Sequence, residues 1–424
     1  MTKTSGFSYA VVLAAAFVLW VPVALFGTQG FSALLGLAAI PAAFFAPLKR
    51  TNIIALAVAL LALWATATSL WSAENTAIVA GDLAHGNFNV DAAAIRILLT
   101  VLAGTLVLAA ALRLEPSRGQ IAVYVMLAML AIHGGLTLAM ALLPEVALDA
   151  YAPFSDRDRE APQNILRSAN AFLLGLPVLL GAACLLPKRA PGLVVTALLA
   201  ASFLAFYLVG SDVAWIGILL IAVALGVIHL LPKSGFKALF AVIAAFVLAS
   251  PVILGFGGAA VSDAGMPLPS SVQSRVWAWQ LTTDKILERP LTGHGIEASK
   301  EWRETFGDRP DLMDQMIERT GIDDGRWKVY RILPGHPHNM GLQLWAETGF
   351  IGIVLALISL LAIGWSLPPP AALPSATRIA AAGLTAASFA LFSLSYSVWN
   401  EAFWATVALA AAGILLLSRW LDRP

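Results

Sequence analysis

The sequence predicts an all-α polytopic membrane protein of about twelve transmembrane helices, and three observations predict it. The chain is 59% hydrophobic and only 12% charged. Apolar runs long enough to cross a hydrocarbon core of ~30 Å recur along its whole length. The charges that remain collect in the connections between these runs.

The runs lie near residues 7–27, 31–48, 52–71, 94–112, 120–143, 169–187, 191–209, 212–232, 236–257, 338–365, 376–396 and 400–418. The first follows Lys3, as the core of a signal peptide would. It is long, contains Trp20 and Pro22, and lacks a small-x-small cleavage pattern, so it reads as a retained helix. Cys184, the single cysteine, excludes an intrachain disulfide and reads as a packing residue. Residues 1–256 thus hold nine helices, 257–337 one large loop, and 338–424 three more helices.

Within the loop, SSVQSRVWAWQLTTDKILERP sets Val276, Trp279, Thr283, Ile286 and Leu287 on one side at helical spacing. Ser271 or Ser274 can cap its start, and Pro290 follows its end. Two tryptophans and mixed charge, in a loop tethered to the bilayer at both ends, suit a helix lying at the interface.

Charge divides between alternate connections. One set, including Lys49, Arg50, Lys188, Arg189, Lys233 and Lys237, is basic with only Glu115 and Asp422 as acids. The other holds nearly all the carboxylates. The positive-inside rule puts both termini in the cytoplasm and every long loop outside. A net charge of +1 offers no basic field for nucleic acid.

An ion-coupled transporter needs ionisable groups near the bilayer midplane. Here only His133 and Glu347 lie well inside runs, while Asp212 and Glu401 sit at run ends. Polar chemistry crowds the outer mouths, which suits an enzyme of the outer membrane surface better than a pump.

The densest such mouth is GHPHNMGLQLWAETGFIGIV, residues Gly335 to Val354. Read as a helix, Pro337 is tolerated in its first turn and His338 lies in that turn. His338, Leu342, Trp345, Gly349 and Gly352 then share one face, where the glycines admit another helix. Glu347 points the opposite way, ~13 Å deeper, and is left to pair with Gln343 or a neighbouring helix. The positive end of the helix favours a neutral imidazole and a bound phosphate. His336 and His338 have a metal-ligand spacing, but no carboxylate or cysteine accompanies them closely, so no metal or other cofactor is expected. Asp156 and Asp158, flanked by arginines, read as a solvated charge run rather than a metal motif. His133 and His294 read as structural, and Glu347 more as structural than catalytic. Trp277 and Trp279 either stack on sugars or sit in the membrane interface, the latter being the simpler reading.

His338 and Asn339, then nine residues, then Gly349-Phe350-Ile351-Gly352 complete the motif H-[NSQ]-x9-G-x-x-[GTY]. Arg275-x-Trp277-x-Trp279 with Pro290–Gly295 downstream forms a second patch, and Arg167 and Asn170 in NILRSANAFLLGL a third. In these residues the chain resembles the O-antigen ligase family, within a wider group that includes O-antigen polymerases. Many relatives carry an arginine where this chain has Asp212, so no role of that arginine transfers.

The resemblance implies a membrane-embedded, GT-C-like glycosyltransferase of the bacterial inner membrane with a periplasmic active site and a large periplasmic loop. It implies a donor polysaccharide on undecaprenyl pyrophosphate, a lipid A-core acceptor, and inverting, metal-independent transfer. His338 is the expected base. Arg275 and Arg167 are first choices for the pyrophosphate, with Arg331 and Lys328 in reserve. His336, Asn339, Asn170 and Trp279 complete the candidate substrate contacts. An O-antigen polymerase, a protein O-glycosyltransferase and a lipid-linked glycan transporter are the competing readings.

Overall fold

A computed structural model describes residues 8–45, 53–73, 89, 91–114, 120–187, 190–264, 266, 268, 270–323, 325–333 and 335–421. Among them the chain is helical, with a single isolated β-bridge between Thr305 and Arg331. The helices are α1 Tyr9–Leu25, α2 Gly30–Phe45, α3 Ile53–Thr68, α4 Ala93–Ala111, α5 Gln120–Leu142, α6 Pro144–Tyr151, α7 Glu160–Ala183 and α8 Ala190–Val209. They continue with α9 Asp212–Leu230, α10 Gly235–Ser250, α11 Gly257–Asp263, α12 Ser270–Glu288, α13 Pro310–Thr320, α14 Met340–Ser366, α15 Ser375–Leu394 and α16 Glu401–Leu421.

Among the described residues, ten helical stretches are long and apolar enough to cross a membrane, so the chain is a multi-pass membrane protein. Each predicted apolar run holds a helix, but α1 and α2 fall short of that length. At 1.5 Å per residue they reach only about 25 Å. The chain reverses between them at Gly27 and Thr28, both at positive φ, which cuts the first run short. The predicted ninth run is continuous over Gly235–Ser262, where a π-helical turn at Pro251–Phe256 joins α10 to α11.

α7, which holds the sixth predicted run, starts at Glu160, well before the predicted residue 169. Its added turns are amphipathic. Ala161, Ile165, Ser168 and Ala169 are buried, while Gln163 and Arg167 face a cavity. The apolar-run criterion does not register a helix whose first turns are half polar.

Two bundles of contacts place the site. α15 packs between α7 and α9, and α14 packs between α3 and α10. α12 packs on α11, on the π turn and on α14. Its buried face carries Val276, Trp277, Leu281 and Ile286, whereas Leu287 is turned out. Trp277 is buried in a small core with Phe306, Leu312, Ile332 and Leu333, and its indole donates to Gln315 of α13. Trp277 therefore neither awaits a sugar nor lies in a lipid interface; it holds the large loop together.

Candidate active site

The motif at Gly349 and the patch at Pro290–Gly295 are two halves of one structure. α14 breaks at Gly349, whose φ of 64° and ψ of −171° lie in a region open essentially to glycine alone. A break frees four backbone groups that a helix would pair. Here Ala346 O and Glu347 O accept from the amides of His294 and Gly295, both at 2.9 Å. The amides of Phe350 and Ile351 donate to Pro290 O and Leu291 O at 2.8 and 3.3 Å. These four groups all find partners in the loop, as burial requires. A Cβ on Gly349 would meet Leu291 O at 2.3 Å, so the glycine admits a loop, not the helix that its spacing suggests. Gly352 does face a helix, lying near Trp64 of α3. Trp64 donates to Thr348 O and Trp71 to Gly293 O, fixing loop and break to α3 and the turn after it.

This arrangement corrects the helical reading of His338. α14 begins at Met340, and Asn339 is its N-cap, accepting from Leu342 N at 3.0 Å. Asn is among the residues that cap a helix best. Asn339 also donates to Ser393 O, tying the cap to α15. His338 stands before the cap in the left-handed region, φ 50°, which histidine tolerates better than most residues.

The imidazole is held by one bond, from Nδ1 to Ser395 O at 2.7 Å. A carbonyl can only accept, so Nδ1 carries the proton and Nε2 keeps a lone pair. Burial lowers the pKa of His338 below the ordinary value. The Ser395 bond opposes that shift, and the charge of Arg275 adds to it. His336 packs against it with the rings tilted and their centres 4.3 Å apart, and its Nδ1 accepts the His338 amide at 3.2 Å. Burial, then the charges of His338 and Lys300, pull His336 down to about 3, so it is a neutral neighbour. Trp279 donates to Pro337 O at 2.9 Å, joining α12 to the histidine turn.

Ser395 lines a cavity of about 280 Å³. Arg167 and Asn170 of α7, Asp212 of α9, Arg275 of α12 and Tyr396 also line it. His338 adjoins the cavity through Ser395. Burial lowers the pKa of Arg275, and Asp212 opposes the shift; a guanidinium keeps its charge throughout. Asn170 donates to the Tyr396 hydroxyl at 2.8 Å and accepts from Ser211 at 2.8 Å. Burial pushes the Tyr396 phenol up to about 12, leaving it a neutral donor. The structure thus brings Arg275, Arg167 and Asn170 to one cavity and holds His338 beside it through Ser395, with Asn339, His336 and Trp279 building the histidine turn. Lys328 and Arg331 are exposed and do not line it; Arg331 lies in the β-bridge to Thr305.

Tyr396 and the Ser395 carbonyl were not read from the sequence. Their signal was a polar stretch, SYSVWNE, in a connection assigned to the same side as the large loop. Asp156 and Asp158 follow the charge-run reading. Arg157 pairs with Glu145, Asp149 and Asp158, and Asp156 accepts two backbone amides of its own turn. His133 joins Trp20 to Ser168 inside the bundle, and His294 donates to Lys285 O. Among the described residues no group of three His, Cys, Asp or Glu side chains is placed to hold a metal ion.

Residues 197–357 match the family model described as O-Antigen ligase. That span holds Asp212, Arg275, the docked loop, His338 and Gly349, while Arg167, Asn170 and Tyr396 line the same cavity from outside it. Curated proteins named "Putative polysaccharide ligase" are also similar. One from Rickettsia conorii is 32% identical over 97 residues, 23% of this chain and 20% of that protein. Another from Rickettsia prowazekii is 29% identical over 171 residues, 39% and 36% of the two chains. A third from Rickettsia typhi is 26% identical over 171 residues, with the same coverage. The matched part thus spans between 20% and 36% of these relatives.

Proposed function

We propose that this chain is an O-antigen ligase that moves a polysaccharide from undecaprenyl pyrophosphate to a sugar hydroxyl of lipid A-core. The site faces the periplasm and both termini face the cytoplasm, in a bacterial inner membrane. The observation that carries this reading is the His338 tautomer beside a cavity lined by two arginines. Nε2 is left as an acceptor, and Arg167 and Arg275 offer fixed positive charge to a leaving pyrophosphate.

The reaction is one displacement. The acceptor hydroxyl attacks the anomeric carbon of the donor's first sugar and gives its proton to His338 Nε2. A new C–O bond forms as the bond to the phosphate oxygen breaks, inverting the anomeric centre. The electron pair leaves with undecaprenyl pyrophosphate, whose charge Arg167 and Arg275 meet. Asn170 and Tyr396 hold the arginine side of the cavity in shape, and the phenol proton can reach a phosphate or sugar oxygen.

The decisive experiment is transfer by purified protein, in vesicles, from polymer-loaded undecaprenyl pyrophosphate to lipid A-core. Product formation supports the reading, and chain extension of the donor without transfer to core would replace it with a polymerase. In cells, loss of the protein should remove long-chain lipopolysaccharide while lipid-linked polymer accumulates. EDTA should leave the rate unchanged; loss restored by a divalent ion would overturn metal-independent transfer.

Arg275→Lys tests the pyrophosphate role. A lysine keeps the charge but not the planar fork, and a charge-assisted hydrogen bond is worth about 1.5–3 kcal/mol. The expected result is a fall in kcat/KM for the donor of about 10- to 100-fold. Wild-type activity would mean that Arg275 serves only to place α12.

A further inference from the structure

We propose that Glu347 is a positioning residue for His338, acting through the connection between α15 and α16. The inference rests on the transfer reading only for its kinetic consequence. Glu347 is fully buried, and its carboxylate gathers donors from three directions. The amides of Glu297 and Ser299 come from the docked loop, at 2.8 and 3.4 Å. Gln343 Nε2 comes from one turn earlier, at 3.3 Å. The Trp399 indole comes from the 395–399 segment. Four N–H groups reach the carboxyl group, and the Ser299 hydroxyl is a fifth donor. Ser299 Oγ, with one proton, bridges Glu347 and Gly335 O, the residue that opens the histidine turn.

The link to His338 runs through residues 395–399. Gln343 accepts the Val398 amide at 2.9 Å and donates to Ser397 Oγ at 2.9 Å. Trp399 is held by Glu347, and Val398 O accepts the Trp404 indole at 2.7 Å. At the near end of this short segment, Ser395 O takes the His338 Nδ1 proton. The carbonyl that sets the tautomer is therefore fixed by side chains one and two turns into α14. Glu347 touches neither His338 nor the cavity. A buried group with this many partners governs geometry at a distance as outer partners of a ligand or base do.

The test uses full-length protein in bilayers with ring-15N histidine, comparing wild type, Glu347→Gln and Trp399→Phe. The His338 signals are assigned by their loss in His338→Gln. Wild type should show the Nδ1-protonated tautomer, and both variants should transfer population to the Nε2-protonated form. In the transfer assay kcat should fall about 10- to 100-fold, with KM for the donor changed less than about 2-fold, because Arg167 and Arg275 stand on α7 and α12. Unchanged His338 signals in folded variants would overturn the proposal, as would a loss confined to KM. If Glu347→Gln fails to fold, Trp399→Phe, which removes one indole N–H, carries the same comparison. Full activity of His338→Gln would instead overturn the base role in transfer, while the tautomer comparison would still decide the positioning role.

Discussion

Replacing His338 with glutamine should lower kcat for polysaccharide transfer by about 10²–10⁴, the range a general base contributes. Glutamine can keep the contact to Ser395 O and fill the turn, so unfolding is not the expected outcome. KM for the donor should change little, because Arg167 and Arg275, the contacts proposed for the pyrophosphate, lie on other elements. The pH profile supplies an independent check. Burial lowers the pKa of His338 below 6.5, so the neutral base persists into mildly acidic solution. Activity should therefore fall as pH drops through a value below the ordinary histidine value, and that limb should vanish in His338→Gln. A wild-type rate in the variant, or an acid limb above 6.5, would remove His338 from the role of base.

Gly349→Ala should be the most damaging single change outside the cavity. Its backbone conformation alone costs a residue with a Cβ about 1–3 kcal/mol. The Cβ would also lie 2.3 Å from Leu291 O and 2.6 Å from Gly293 N, both backbone atoms that cannot swing aside. The loop must then withdraw, and the four hydrogen bonds exchanged with α14 go with it. A buried polar group left without a partner costs about 1–3 kcal/mol. Thermal unfolding in detergent should move to lower temperature, and transfer should be lost although no cavity residue has changed. A variant with wild-type unfolding and activity would show that the docking is dispensable.

Much of this architecture was legible. Long apolar runs announce helices because no other open-ended backbone is satisfied in lipid, and each run holds one. His338 with Asn339 and the spaced glycines, Arg275, Arg167 and Asn170 were all visible as patches. What the sequence hid was how distant patches meet. A helical wheel drawn from His338 through Gly349 assumes continuous φ/ψ at both ends, and both assumptions fail here. The glycine spacing resembles a helix-packing pattern, yet it marks where a non-local loop replaces the hydrogen bonds of the helix. The role of Ser395 belongs to a carbonyl, which every residue possesses, so no side-chain pattern signals it. Tyr396 was hidden because its partner, Asn170, lies 226 positions away.

The break in α14 has a consequence for biogenesis. Residues 290–295 are synthesised before α14, but their docking place exists only once α14 is in the membrane. Until then the broken helix holds four backbone groups without partners, and a bilayer interior supplies none. A freshly inserted α14 should thus stay straight, with Ala346 O and Glu347 O paired inside it, and bend only when the loop docks. Maturation of the site is in this sense a late event, set by the meeting of two segments and not by insertion itself.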